Sequence, residues 1–179
     1  MPSGYVKNIE DEIHFEFARL ISKSAIGAID DFHVFDRFQA LKSGEITLAG
    51  QMAEWAEDLP QACAFCGSQS DLQADHLIPL NREGSDEPDN RVTACAPCVK
   101  DRADRGIYEW LGPKKKDGLH RLVAGKYLLA LYKLHKEKWT LAIPVKEVDV
   151  LCKDCGNPEA CRVAETVGEM TCLCLESVT

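Results

Sequence analysis

Two pairs of cysteines restrict this chain more than any other feature. Cys63-x2-Cys66 and Cys95-x2-Cys98 are separated by 28 residues in a sequence of 179. Together they offer four soft thiolates that can converge tetrahedrally on Zn2+, each pair forming a tight knuckle beside a small residue such as Gly67. With all four positions filled by protein, that zinc holds the fold and leaves no place for a reacting water. A redox Cys-x2-Cys is the competing reading, which the second pair weakens.

The rest of the cysteine pattern points the same way. The sequence begins without a basic stretch leading into an apolar run, and no apolar run approaches membrane-spanning length, which predicts an intracellular, cytoplasmic protein. Nine cysteines in a reducing compartment are poor disulfide candidates, and eight of them fall into Cys-x2-Cys or Cys-x-Cys pairs. Metal thiolates are the better expectation. With 45% hydrophobic and 28% charged residues, the chain has enough apolar surface to bury a core.

A net charge of −8 argues against a protein that coats nucleic acid indiscriminately. The charge is unevenly spread. From Lys100 to Lys138 there are eleven Lys and Arg against five Asp and Glu, a local net of +6 that leaves −14 for the remainder. Such a segment suits focused binding of a polyanion, or it is the solvated face of a helix.

Four regions follow from pattern. Residues 1–60 read as a helical support: Ile13, Phe17, Leu20 and Ile21 recur at helical spacing after Asn8, a plausible N-cap, and Phe32, Phe35 and Phe38 mark a second segment packed on the first. Met52 to Trp55 suggest one more helical turn. Residues 61–106 switch to short apolar runs with a polar loop from Asn81 to Pro88. Residues 107–150 form a basic helical region, broken at Gly112-Pro113 and resuming as a long helix from Leu119 to Leu134. Residues 151–179 are a cysteine-rich tail. The overall class is α+β.

Between the knuckles runs Leu72-Gln73-Ala74-Asp75-His76-Leu77-Ile78-Pro79, then the loop, then Asp89-Asn90-Arg91. This order resembles the HNH endonuclease family over residues 61–106. The resemblance implies a ββα-metal finger, two antiparallel strands followed by a helix around one catalytic divalent ion, and hydrolysis of phosphodiester bonds in DNA, with RNA not excluded. His76 would be the general base, since an imidazole titrating near neutral pH can take a proton from water. Asp75 would hold Mg2+ or Mn2+. Asn90 matches the family's middle Asn, which orients the loop and the histidine.

One position departs from the family. Where an Asn or His usually supplies a second metal ligand on the helix, this sequence has Val99; Asp101 or Asp104 are the candidates to replace it. Arg102 matches the family's basic residue after the knuckle, and with Arg105, Lys114, Lys115 and Lys116 it forms the expected nucleic-acid contact. A zinc-based nucleic-acid or protein binding module without cleavage is the alternative. The other histidines, His14, His33, His120 and His135, sit in helical patterns where packing or solvent is the default.

The tail carries five thiols, Cys152, Cys155, Cys161, Cys172 and Cys174. A second zinc on Cys152, Cys155, Cys172 and Cys174 is expected, with Cys161 uncertain and an iron–sulfur cluster as runner-up. A segment this short cannot bury a core alone, so a metal would replace one.

Overall fold

The computed structural model describes residues 4–55, 61–147, 159, 161 and 171–176. Helix α1 spans Ile9–Ile26. The Asn8 side chain accepts from the Asp11 N–H at 2.8 Å, and Glu10, Asp11 and Glu12 place negative charge at the positive end of the helix dipole. Ile9, Ile13, Phe17 and Ile21 are buried along one face, and Gly27 ends the helix in the left-handed region.

Helix α2, Asp31–Ser43, packs against α1, and α3, Leu48–Glu54, is longer than the single turn expected before Trp55. Of the three phenylalanines placed in this core by their spacing, only Phe38 is buried. Phe32 is 81% exposed, and Phe35 stands half out of the surface with its ring 4.7 Å from that of Tyr5. Phe32 and Phe35 lie one helical turn apart on a side of α2 that faces away from α1, so their periodicity was that of an outer face.

The chemical segment is a β-hairpin followed by a helix. Strand β1, Leu72–His76, pairs antiparallel with β2, Arg91–Cys95, with Leu72 opposite Cys95 and His76 opposite Arg91. Helix α4, Ala96–Arg102, follows at once, with Pro97 in its first turn, where the missing N–H costs nothing. This is the ββα order that the resemblance implies.

Helix α5, Ile107–Lys115, is broken at Gly112, whose backbone is non-helical (φ 74°, ψ 163°) as the Gly112-Pro113 pair predicts, and α6, Arg121–Glu137, is the long helix. His120 caps α6, its Nδ1 accepting from the Leu122 N–H at 3.4 Å. One core gathers Ile9, Phe17, Trp55, Leu77, Ile107, Leu128 and Leu173, so the hairpin, both ends of the chain and the long helix share buried surface. The segment Cys172–Glu176 is a short 3-10 turn inside that core. Glu176 accepts from the N–H groups of Tyr108 and Glu109 at 2.6 and 2.8 Å, and from the Tyr127 hydroxyl, so it closes the N-terminus of α5. Gly106 is required there, because a Cβ would lie 2.4 Å from the Glu176 carboxyl carbon. His135, also buried, bonds through Nε2 to the Leu175 carbonyl at 2.9 Å. No helix among the described residues is long and apolar enough to cross a membrane.

Candidate functional site

The four knuckle cysteines meet. The Sγ atoms of Cys63, Cys66, Cys95 and Cys98 all lie within 4.8 Å of one another, and Cys66 and Cys95 approach to 3.5 Å. Tetrahedral Zn–S bonds of about 2.3 Å put sulfurs about 3.8 Å apart, so the cluster fits zinc without rearrangement. Its backbone is ready for negative sulfur: burial raises the Cys63 pKa, but N–H groups of Cys95, Cys66 and Phe65 lower it more, to about 6. Burial and the neighbouring thiols push Cys98 the other way. Four thiolates this close repel, and a divalent cation removes that conflict.

Asp75 and His76 end β1, beside the start of β2. His76 is a quarter exposed, and its Nε2 lies 2.9 Å from Asp86 Oδ1. Arg91, paired with His76 across the hairpin, reaches the same oxygen at 2.6 Å. Asp86 therefore carries two basic partners, and hydrogen bonds from His76 and Arg91 hold its carboxyl below the usual carboxylate range. Asp86 was not legible as a partner of His76 in the sequence, since nine residues separate the two. The signal available was weak: an acid in a turn that a hairpin must fold back.

Asn90 is 1% exposed and staples that loop. Its Oδ1 accepts from the Ile78 N–H at 2.8 Å, while Nδ2 donates to the carbonyls of Ile78 and Ser85 at 2.8 and 2.7 Å. The Leu77 N–H bonds to the Asn90 carbonyl at 2.7 Å. It orients the residues that follow His76 and makes no bond to the ring itself. Gly84 belongs to the staple, because a Cβ there would sit 1.9 Å from the Ile78 carbonyl oxygen.

Arg102 is placed differently from the expectation that it contacts phosphate. Its side chain is 2% exposed; it donates to the His76 and Leu77 carbonyls at 2.6 and 3.3 Å, and one Nη lies 3.3 Å from Asp75 Oδ2. The Phe65 ring covers the guanidinium at 5.6 Å, with Trp110 edge-on to Phe65. Helix α4 carries Arg102 over the back of β1, so the charge points inward. Asp75 is 12% exposed. Its Oδ1 accepts from the His76 N–H at 2.9 Å and from Arg102 at 3.4 Å, and its buried Oδ2 has no hydrogen bond.

The replacement ligand does not arrive either. Asp101 accepts from the Trp110 indole N–H at 2.8 Å, and Val99 packs on the apolar side of the knuckles with Ala94 and Cys95. Among the described residues, only the four cysteines form a group of three or more donors able to share a metal ion. Asp75 thus offers one free oxygen, opposite a fixed guanidinium, where a hard divalent ion needs about six oxygens. The residues present do not fit a catalytic divalent ion.

Part of the basic segment is paired within the molecule. Lys116, expected on the nucleic-acid face, is buried against Glu16 and Asp117 because the turn after α5 folds down onto α1. Arg105 turns back to the carbonyls of Asp101 and Arg102 at the end of α4. Lys115 is exposed, and the Lys114 side chain lies outside the described residues. On α6, Lys126 donates to the Pro88 and Arg91 carbonyls at 3.1 and 2.7 Å and Lys133 pairs with Asp89, and just past its end Lys138 pairs with Glu83. The lysines of the long helix hold the acidic loop that carries Asp86.

In the tail, Cys152 and Cys155 lie outside the described residues. Cys161, Cys172 and Cys174 are buried. They face different surroundings. Cys172 lies in the field of Glu16, Lys116 and Glu12, whereas Cys174 lies in that of Cys161 and accepts from the Thr171 N–H at 3.4 Å. Burial raises both thiols, Cys174 to about 11.

The hairpin, the knuckles and helix α4 form a ββα finger that carries Asp75, His76 and Asn90. A family model described as HNH endonuclease matches residues 63–105. No curated protein and no solved structure matches the chain.

Proposed function

We propose that this chain hydrolyses phosphodiester bonds in nucleic acid, DNA being the substrate, with His76 as general base. One observation carries the reading: the His76 ring stands at the open edge of the HNH hairpin, its Nε2 held by Asp86 at 2.9 Å. A carboxylate on Nε2 fixes the ring's orientation and tautomer, so that Nδ1 is the nitrogen left to accept a proton. The water oxygen bonds to phosphorus as the P–O bond to the leaving sugar oxygen breaks. The water proton passes to His76, and the leaving oxygen takes a proton from solvent. Of the residues expected to meet phosphate, Lys115, and Lys114 by its place in the sequence, are left for that role.

The test is plasmid cleavage by wild type, His76→Ala and Asp86→Asn. His76→Ala lowers turnover about 100-fold to 10,000-fold with the fold intact, and Asp86→Asn, which loosens the hold on the ring, lowers it by less. Unchanged turnover in His76→Ala removes His76 from the reaction. A binding module without cleavage is the second reading, favoured by Val99 and by the Arg102–Asp75 pair. DNA retention without strand scission supports it.

The tail enters as a second zinc. Cys161 and Cys174, each near the other, join Cys152 and Cys155 as the ligand set in this reading, replacing Cys172, which sits among carboxylates. Two zinc ions per chain in wild type and in Cys172→Ser, and one in Cys174→Ser, are expected. Visible absorbance from iron rejects zinc.

A further inference from the structure

We propose that Arg102 stands where the HNH fold would hold its divalent ion, so that the Asp75–His76 edge takes up no hard cation and works without one. The proposal deepens the hydrolase reading and rests on it for its activity arm alone. Four placements support it.

The guanidinium is buried 3.3 Å from Asp75 Oδ2, fixed there by the His76 and Leu77 carbonyls and covered by Phe65. It cannot lose its charge, so any metal approaching Asp75 meets a full positive charge at contact distance. Val99 offers no donor. Asp101 is committed to Trp110, and the His76 Nε2 to Asp86. Asp104, the other candidate, is exposed and joins no group of three donors among the described residues, and the free oxygen of Asp75 is the one the guanidinium already balances.

Arg102 is a positioning residue here. It neutralises Asp75 and, through the His76 carbonyl, holds the backbone that aims the imidazole. A mobile ion could do the first of these and not the second.

The experiment uses the full chain with its structural zinc. Mn2+ is titrated into wild type, Arg102→Gln and Arg102→Lys, and the free-ion electron paramagnetic resonance signal is followed. The wild type and Arg102→Lys leave the signal equal to buffer, and Arg102→Gln, which frees Asp75, lowers it. One Mn2+ bound by wild type and lost in Asp75→Asn overturns the proposal. If Arg102→Gln does not fold, the wild-type and Asp75→Asn titrations decide alone.

Plasmid cleavage is then compared with Mg2+, with Mn2+ and with EDTA, zinc content being measured in each sample. Rates equal within about twofold are expected, because metal polarisation of phosphate is worth about 100-fold or more where it operates. An EDTA loss of that size with zinc retained overturns the proposal while leaving the hydrolase reading intact. Absence of cleavage in every condition overturns the hydrolase reading, and the Mn2+ titration still decides the proposal.

Discussion

The two ends of strand β1 stand in opposite condition. At Leu72, beside Cys95, four sulfurs from two knuckles gather within 4.8 Å of one another. At His76, beside Arg91, the polar groups are met by protein: Asp75 by Arg102, His76 by Asp86, and the loop carbonyls by Asn90. Within one five-residue strand, one site needs an external ion and the other carries its own counter-charges. Resemblance to a metal-dependent family covers both ends equally. Only the placement of side chains separates them.

Cys95→Ala tests the first half of that contrast most severely. Zinc binding to four thiolates is worth roughly 10–16 kcal/mol in small zinc-folded units, so losing a ligand should release the metal and unfold the hairpin. Zinc content and far-ultraviolet circular dichroism report it. A variant that keeps its zinc and its hairpin would show that the knuckles do not hold this fold.

Asn90→Ala probes the half that is satisfied by protein. It strands the Ile78 N–H and the Ile78 and Ser85 carbonyls, and each buried orphan costs about 1–3 kcal/mol. A loss of roughly 3–5 kcal/mol in urea unfolding is expected, with zinc retained. A cost near zero would mean that the loop holds without its staple.

Glu176 sharpens the same point far from the hairpin. Burial raises its pKa to about 7, against hydrogen bonds from Tyr127, Tyr108 and Glu109 that lower it. The folded state therefore holds a proton that the unfolded state, with an ordinary carboxyl near 4.5, has released. Stability should fall as pH rises from about 4.5 to about 7 and level off above, by on the order of 3 kcal/mol from this group. Glu12, which burial first and Glu16 second raise to about 8, extends the decline. Glu176→Gln should remove the lower part of the slope in a denaturation series across pH 4.5–8. An unchanged slope would place the titration elsewhere.

Spacing along the chain was enough to read the knuckles, because Cys-x2-Cys geometry is local and the zinc brings the two pairs together. The Asn8 cap and the α1 face were legible for the same reason: a helix turns its residues through fixed angles. Phe32 and Phe35 show where periodicity stops helping. It reports which residues share a face, and nothing about which face meets the core.

The candidate base and its neighbours divide along the same line. The sequence by itself determined that Asp75, His76 and Asn90 belong to one hairpin between two zinc knuckles. Tertiary structure decided what each polar group faces. Arg102 and Lys116 carry the same charge as the exposed Lys115, and all three stand in one basic stretch of sequence. Packing of α4 over β1 turned Arg102 onto Asp75, and the fold of the turn after α5 onto α1 buried Lys116 against Glu16. A charge is a property of a residue, but its partner is set by the element that packs above it, and a buried charge must be paired wherever the fold puts it.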